Sequence, residues 1–290
     1  MQYEIITCAE GDDEFIADKL NDVTDSKIDF EDTIEDELVV FKVTDGDGKI
    51  IAGCNLIVNC WRVADLDILW VEEKYRRQGI GSALIREAER AARAKGCRFM
   101  TLGTFDFQAR PMYEKFGFTV CGTIEDCPTK GHKHYDMIKR LDTPCEKDAS
   151  PAPCDYEIVH GDEEDAEFID DSLVEYNLSV VPSARDFDYF GKKIPGNDGG
   201  TIAGGFAGIN FWNIAFLDML WVDEPCRGKG IGSALLSDLE RAAKEKGAFI
   251  VMADARDRNA DFFKKSGYTV YCTFDDYPSG YGKYKMMKRL

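Results

Sequence analysis

The stretch LWVEEKYRRQGIGSALI, residues 69–85, changes character half-way along. It opens as an apolar strand ending at Val71 and passes through a basic turn, Arg76-Arg77-Gln78-Gly79-Ile80-Gly81-Ser82. It then continues as an amphipathic helix to Lys95. Leu84, Ala88, Ala91 and Ala92 line one side of that helix, and Arg86, Glu87, Arg90 and Arg93 the other. Gly96 predicts a left-handed C-terminal cap. Glycines let backbone N–H groups close on an anion, and the first turn of a helix leaves its amides unpaired at the positive end of the dipole. The junction therefore reads as a cradle for a phosphate-bearing ligand; the bare alternative is a tight turn with none. It is not a P-loop, which needs G-x-x-x-x-G-K-[ST], nor a dinucleotide fingerprint, because Leu84 stands where the third glycine belongs.

Working outward, the chain nearly repeats itself at an offset of 151. LDILWV (66–71) returns as LDMLWV (217–222), RRQGIGSAL (76–84) as RGKGIGSAL (227–235) and ERAARAKG (89–96) as ERAAKEKG (240–247). One deletion later, YEKFGFTV (113–120) returns as FKKSGYTV (263–270), and MIKRL and MMKRL close the two copies. So long a period marks a duplicated domain rather than a solenoid. The expected organisation is a domain over 1–141, a linker over 142–155 rich in Pro, Ala, Asp and Ser, and a second domain over 156–290.

Within copy one the pattern predicts a strand at Tyr3–Thr7, a helix at Asp12–Val23 and a hairpin of Glu37–Thr44 with Ile50–Asn59 around an Asp-Gly-Asp-Gly turn. Strand Arg62–Val71 follows, with Leu66, Ile68 and Trp70 expected on one face and Asp67, Leu69 and Val71 on the other. After the helix beginning at Gly79 come strand Arg98–Thr104, helix Gln108–Lys115 and two strands within Phe118–Leu141. This order predicts an α+β fold, a mixed, mostly antiparallel sheet flanked by helices, made twice.

The balance of 36 basic and 54 acidic residues leaves a net charge of −18. Such a surface repels nucleic-acid phosphates and anionic lipid, so neither is expected as a partner, and cationic ligands are favoured. Ten cysteines without a CxxC pair read as reduced thiols of a cytoplasmic protein. No stretch reads as a signal peptide or membrane span; the apolar window Gly199–Val222 reads as two strands.

The motif LWVEEKYRRQGIGSALI (69–85) with PMYEKFGF (111–118), in the same order in both copies, resembles the GNAT superfamily of acyl-CoA-dependent N-acetyltransferases over nearly the whole chain. The resemblance implies two tandem GNAT-like domains with acetyl-CoA as donor and an amine as acceptor. It implies that Leu69 and Val71, and Leu220 and Val222 in copy two, offer backbone groups to the pantetheine arm. Arg76, Arg77, Gln78, Gly79, Ile80, Gly81 and Ser82 would grip the pyrophosphate, as would Arg227, Gly228, Lys229, Gly230, Ile231, Gly232 and Ser233. Tyr113 falls on the general acid that protonates the departing thiolate; the alternative for it is an ordinary core aromatic.

Copy two departs at this point, with Phe263 in place of the tyrosine, so catalysis is expected in copy one and a degenerate role in copy two. Asp67 is the first candidate for the base that takes the amine proton, acting through water. His132 and His134 are second candidates, being titratable near neutrality, with solvated loop histidines as the plainer reading. Cys127 with these histidines lacks a fourth ligand, and no metal is expected. The acidic runs Glu31-Asp32, Glu35-Asp36-Glu37 and Asp162-Glu163-Glu164-Asp165 read first as solvated faces and second as the border of a cationic acceptor's cleft. Two other classes stay open: a non-catalytic acyl-CoA sensor and an unrelated nucleotide-phosphate module. Two arrangements of the copies stay open as well: an internal pseudo-dimer, or association of each copy with other chains.

Overall fold

The computed structural model describes residues 4–25, 34–142, 154–196, 200–275, 277 and 280–290. The first repeat contains β1 (Ile6–Thr7), α1 (Asp12–Asp25), β2 (Glu37–Thr44), β3 (Ile50–Val58), β4 (Val63–Val71), α2 (Ile80–Ala94), β5 (Phe99–Phe105), α3 (Arg110–Lys115), β6 (Thr119–Glu125) and β7 (Lys133–Arg140). The second contains β8 (Val159–His160), α4 (Glu163–Val180), β9 (Asp188–Pro195), β10 (Thr201–Ile209), β11 (Ile214–Val222), α5 (Ile231–Glu245), β12 (Ile250–Arg256), α6 (Asp257–Lys265), β13 (Thr269–Phe274) and β14 (Lys283–Arg289). The described part of the window Gly199–Val222 holds the strands β10 and β11, and no helix among the described residues is long and apolar enough to cross a membrane.

Two seven-stranded sheets form, ordered β6-β7-β5-β4-β3-β2-β8 and β1-β9-β10-β11-β12-β14-β13. Each is antiparallel except for one parallel pair, β4 with β5 and β11 with β12. The order shows an exchange. The lead-in β8–α4 of repeat two joins the sheet of repeat one, and the lead-in β1–α1 of repeat one joins the sheet of repeat two. The compact bodies are therefore unit I, residues 32–182 with 276–280, and unit II, residues 1–31, 183–275 and 281–290. They cut the chain differently from the repeat limits 1–141 and 156–290. Of the expected linker, residues 143–153 lie outside the described residues, as do Tyr3 and the acidic pair Glu31-Asp32.

The exchange is built the same way in both units. In unit I, Ile169 of α4 lies so close to β3 that a Cβ on Gly53 would sit 2.2 Å from its Cδ1. In unit II, Ile16 of α1 lies 2.1 Å from the Cβ position of Gly204. Lys42 holds Asp165 at 2.5 Å in the first unit, and Lys193 holds Asp12 at 2.8 Å in the second. Asp162 and Asp165 form a reciprocal capping box on α4, in which Asp165 is buried, while Asp162, Glu163 and Glu164 stay exposed as a solvated face. Burial opposes ionisation of Asp165, but Lys42 and the capping amide outweigh it and hold the carboxyl below its usual range.

On the opposite face of each sheet the long helix packs as its periodicity predicts, with Leu84, Ile85, Ala88 and Ala92 of α2 fully buried. Gly96, at φ 72°, closes it in the left-handed conformation, its N–H bonding to Arg93 and that of Cys97 to Ala92.

The strand before the turn departs from simple alternation. Asn55 pairs with Ile68 and Leu56 with Leu66, so Asp67 is the extra residue of a β-bulge. The slip corrects the expected faces. Leu66, Leu69 and Val71 lie on the α2 side, while Ile68 and Trp70 pack with Ala166, Ile169 and Leu173 of α4. Repeat two slips at the matching place, making Asp218 its extra residue.

Candidate active site

Strand β4 pairs in parallel with β5 only from Val63 to Asp65, after which the two strands diverge. Glu72 N–H donates to Ile51 on the β3 side, and antiparallel alternation then turns the backbone groups of Leu69 and Val71 toward the gap. The Val71 carbonyl is already used, accepting Arg76 Nε at 3.0 Å; Arg227 Nε does the same to Val222 at 2.9 Å. The side chain beginning the turn thus folds back on the last carbonyl of the strand, leaving the Val71 N–H on the open edge.

The turn itself follows a short helical turn at Glu73–Tyr75. Gly79, at φ 85°, is the N-cap of α2, and no side chain caps that end, so its first amides face outward. Gly230, at φ 80°, repeats this at α5. Arg77 is left-handed at φ 63° despite its side chain, a strain that repeat two avoids by placing Gly228 there. Gln78 does not join its neighbours: its amide donates to Lys74 O and accepts from Tyr156 Oη at 3.0 Å. In copy two, Lys229 Nζ is likewise turned onto the Pro225 carbonyl.

The gap between β4 and β5 is a recess of about 420 Å³. Leu69, Val71, Arg76, Arg77, Gly79, Ile80, Gly81 and Ser82 line one part of it, and Asp67, Trp70, Gly103, Phe107, Gln108, Met112 and Tyr113 the rest. Leu173 and Tyr176 of α4 complete the wall.

Tyr113 is 8% exposed, at the boundary between this recess and the core, with its ring 6.0 Å from that of Phe118. Burial pushes its phenol well above the ordinary range, with Cys54 adding to the shift, so it stays protonated and able to donate. Asp67 is reachable by water, yet the walls of the recess surround it. That desolvation, with repulsion from Asp65 and Asp170, pushes its carboxyl up to about 6.

The histidines lie elsewhere. His132 Nδ1 is 3.0 Å from Asp106 Oδ1, its ring edge-on to Phe107, and it does not line the recess. His134 lies 3.7 Å from Asp136 and edge-on to Phe105, with Nε2 2.9 Å from where a Cβ of Gly103 would stand, behind the recess wall. Among the described residues no cluster of three His, Cys, Asp or Glu could hold a metal.

The corresponding groups of unit II are arranged differently. Phe263 is buried against Tyr268 at 5.3 Å. Asp218 accepts a 2.7 Å hydrogen bond from Tyr189, whose ring stacks on Phe206. Lys283, in the place of His134, pairs with Asp254 at 2.8 Å.

Reading the sequence alone missed Leu173, Tyr176 and Asn177. Their helix belongs to repeat two, and nothing in a repeat pattern says which sheet receives it.

The model of the acetyltransferase (GNAT) family matches residues 8–118 and 152–268, most of the chain. The chain belongs to the GNAT acetyltransferase family. The blasticidin-S acetyltransferase of Streptomyces morookaense is 33% identical over 112 residues, which is 38% of this chain and 82% of that one. An acetyltransferase of Agrobacterium fabrum is 37% identical over 59 residues, 20% of this chain and 43% of its own. A crystal structure of an acetyltransferase from Bacillus cereus ATCC 14579 is 35% identical, with a TM-score of 0.45, covering 48% of this chain and 97% of that one. The family makes this chain a transferase, with acetyl-CoA as the acyl donor.

Proposed function

We propose that this GNAT protein moves an acetyl group from acetyl-CoA to a primary amine of a small molecule or peptide, and that unit I is the catalytic body. The observation that carries this reading is a single recess in which uncapped helix amides, outward-facing strand backbone, a protonated phenol and a carboxylate of raised pKa all meet. An anionic diphosphate fits the amides of Ile80, Gly81 and Ser82, with Arg76 and Arg77 adding charge. An extended amide-bearing arm fits the free groups of Leu69 and the Val71 N–H, as an added strand would. The side-chain ends of Gln78 and Lys229 are held by other partners.

The donor supplies a thioester carbonyl. Asp67, through water, takes the proton of the acceptor's ammonium and frees its lone pair. As the new C–N bond forms and the C–S bond breaks, Tyr113 gives its proton to sulfur, and the surplus proton left on the acylated nitrogen passes through water to restore the phenol. The phenol starts neutral and gains acidity relative to a thiolate stranded in the same dry wall. The Streptomyces relative's named substrate favours a small-molecule acceptor. His134 keeps at most a supporting place behind Gly103. The thiols of Cys8, Cys54, Cys97, Cys121, Cys154 and Cys226 are free, which suits the reducing cytoplasm.

Unit II keeps the glycine turn and the bulge without the phenol, which favours binding without turnover there. The test is release of free thiol from acetyl-CoA across polyamines, aminoglycosides, amino acids, basic peptides and matched alcohols. Turnover with an amine and not its alcohol analogue supports the reading. Turnover with the alcohol makes the protein an O-acetyltransferase, and CoA binding without thiol release makes it a sensor.

A further inference from the structure

Helix α4 of repeat two ends against both sides of the recess of unit I. The Arg76 guanidinium lies over the Tyr176 ring, 4.3 Å from its centroid, while Arg76 Nε holds the Val71 carbonyl. The Tyr176 hydroxyl points across the gap to the Phe107 carbonyl at 3.5 Å. One residue on, the buried Asn177 accepts a 2.8 Å hydrogen bond from Gln108 Nε2. Gln108 Oε1 in turn accepts from Phe105 N–H and the Thr104 hydroxyl. That amide fixes the turn from which α3, carrying Tyr113, departs. With Ile16 and Ile169 as matching residues, the positions of Tyr176 and Asn177 in α1 are Val23 and Thr24, which have neither ring nor amide. Among the described residues the two contacts are seen in unit I.

We propose that Tyr176 and Asn177, brought by the exchanged helix of the second repeat, are positioning residues of the first repeat's site. Tyr176 holds Arg76 in place for the diphosphate of the donor, and Asn177 acts through Gln108 to set the helix that presents Tyr113. A flat aromatic face is the support that suits a guanidinium, since it attracts the cation and limits its rotamers without using its outer N–H donors. The second repeat is then required for catalysis by the first through its helix, whether or not unit II binds a coenzyme. This proposal rests on the recess being the acetyl-CoA site.

The experiment uses the full chain and reads CoA binding by titration calorimetry alongside kinetics. Tyr176→Leu, or Tyr176→Met should the shorter side chain not fold, weakens CoA about tenfold, and Tyr176→Phe stays within about twofold. Arg76→Gln weakens CoA by a similar factor, and Arg76→Gln/Tyr176→Leu is no worse than Arg76→Gln alone. Asn177→Ala and Gln108→Ala each lower kcat about tenfold with CoA affinity and the KM for acetyl-CoA unmoved, and their combination adds nothing. A merely structural role would move affinity, kcat and melting temperature together. Wild-type-like CoA binding by Tyr176→Leu, or additive losses in either double variant, overturns the positioning roles and leaves the recess as the donor site. Failure of the wild-type protein to bind CoA overturns both.

Discussion

Units I and II share their backbone and part company in their side chains. Both have the bulged strand, the early divergence from the one parallel neighbour, a left-handed glycine before an uncapped helix, and an arginine folded back on the strand's last carbonyl. Unit I adds a phenol and a carboxylate of raised pKa within its recess. Unit II has a phenylalanine for the phenol and a tyrosine hydroxyl on the equivalent carboxylate. The backbone device is made of residues the fold itself needs, so duplication and packing maintain it. The proposed acid and base are single side chains: Phe263 stands in place of Tyr113, and Asp218, though retained, is held by the Tyr189 hydroxyl. On the proposed reading, binding and chemistry are separable in this architecture.

The sharpest way to break the contrast is at the phenol. Tyr113→Phe makes unit I resemble unit II, and thiol release should fall about a hundredfold or more with CoA affinity preserved. Asp67→Asn should cost about tenfold to a hundredfold. In the unaltered protein kcat/KM should rise with pH through about 6 as Asp67 loses its proton, an inflection that the variant lacks.

Stability should move the other way. The folded pKa of Asp67 lies above the unfolded value of about 3.9, so ionising it costs folded-state stability as pH rises between the two. Asp67→Asn should melt slightly higher than the parent at neutral pH, a gain that disappears below about pH 4. Thermal melts across that range decide it.

The exchange itself is tested by Gly204→Ala, whose new methyl would meet Ile16 of the first repeat; the expected loss is about 1–3 kcal/mol. Ile16→Val should restore part of it and Ile169→Val none, whereas an unexchanged arrangement would reverse the two. The smallest effect is expected from Phe263→Tyr, which should change thiol release less than about twofold, because Asp218 remains bonded to Tyr189. A clear gain would show that unit II lacks only its acid.

Much of this was legible from residue order. The glycine turn, the C-cap at Gly96 and the duplicated strands follow from local rules, because turn chemistry and helix ends depend on near neighbours, whereas the placing of Tyr113 beside the cradle comes from the family resemblance. The face of Leu66 was misread because a bulge shifts the alternation by one residue, and Leu-Asp-Ile-Leu-Trp looks unbroken in sequence. Gln78 stands inside the motif, yet its amide is taken by Tyr156, nearly eighty residues away. The acidic run at Asp162 is solvated as its charge predicts except at Asp165, which the capping bonds and Lys42, distant in sequence, draw inward.

What the order of amino acids determined by itself is the family, the duplication, the glycine cradle and the loss of a phenol in the second copy, all properties of short segments. Tertiary structure decided which sheet each lead-in helix joins, which carboxylate is left in a half-dry recess, and that Tyr176 and Asn177 stand at the first repeat's site. An isoleucine over a strand glycine satisfies local packing equally well in either sheet, so only the folded chain distinguishes the two arrangements.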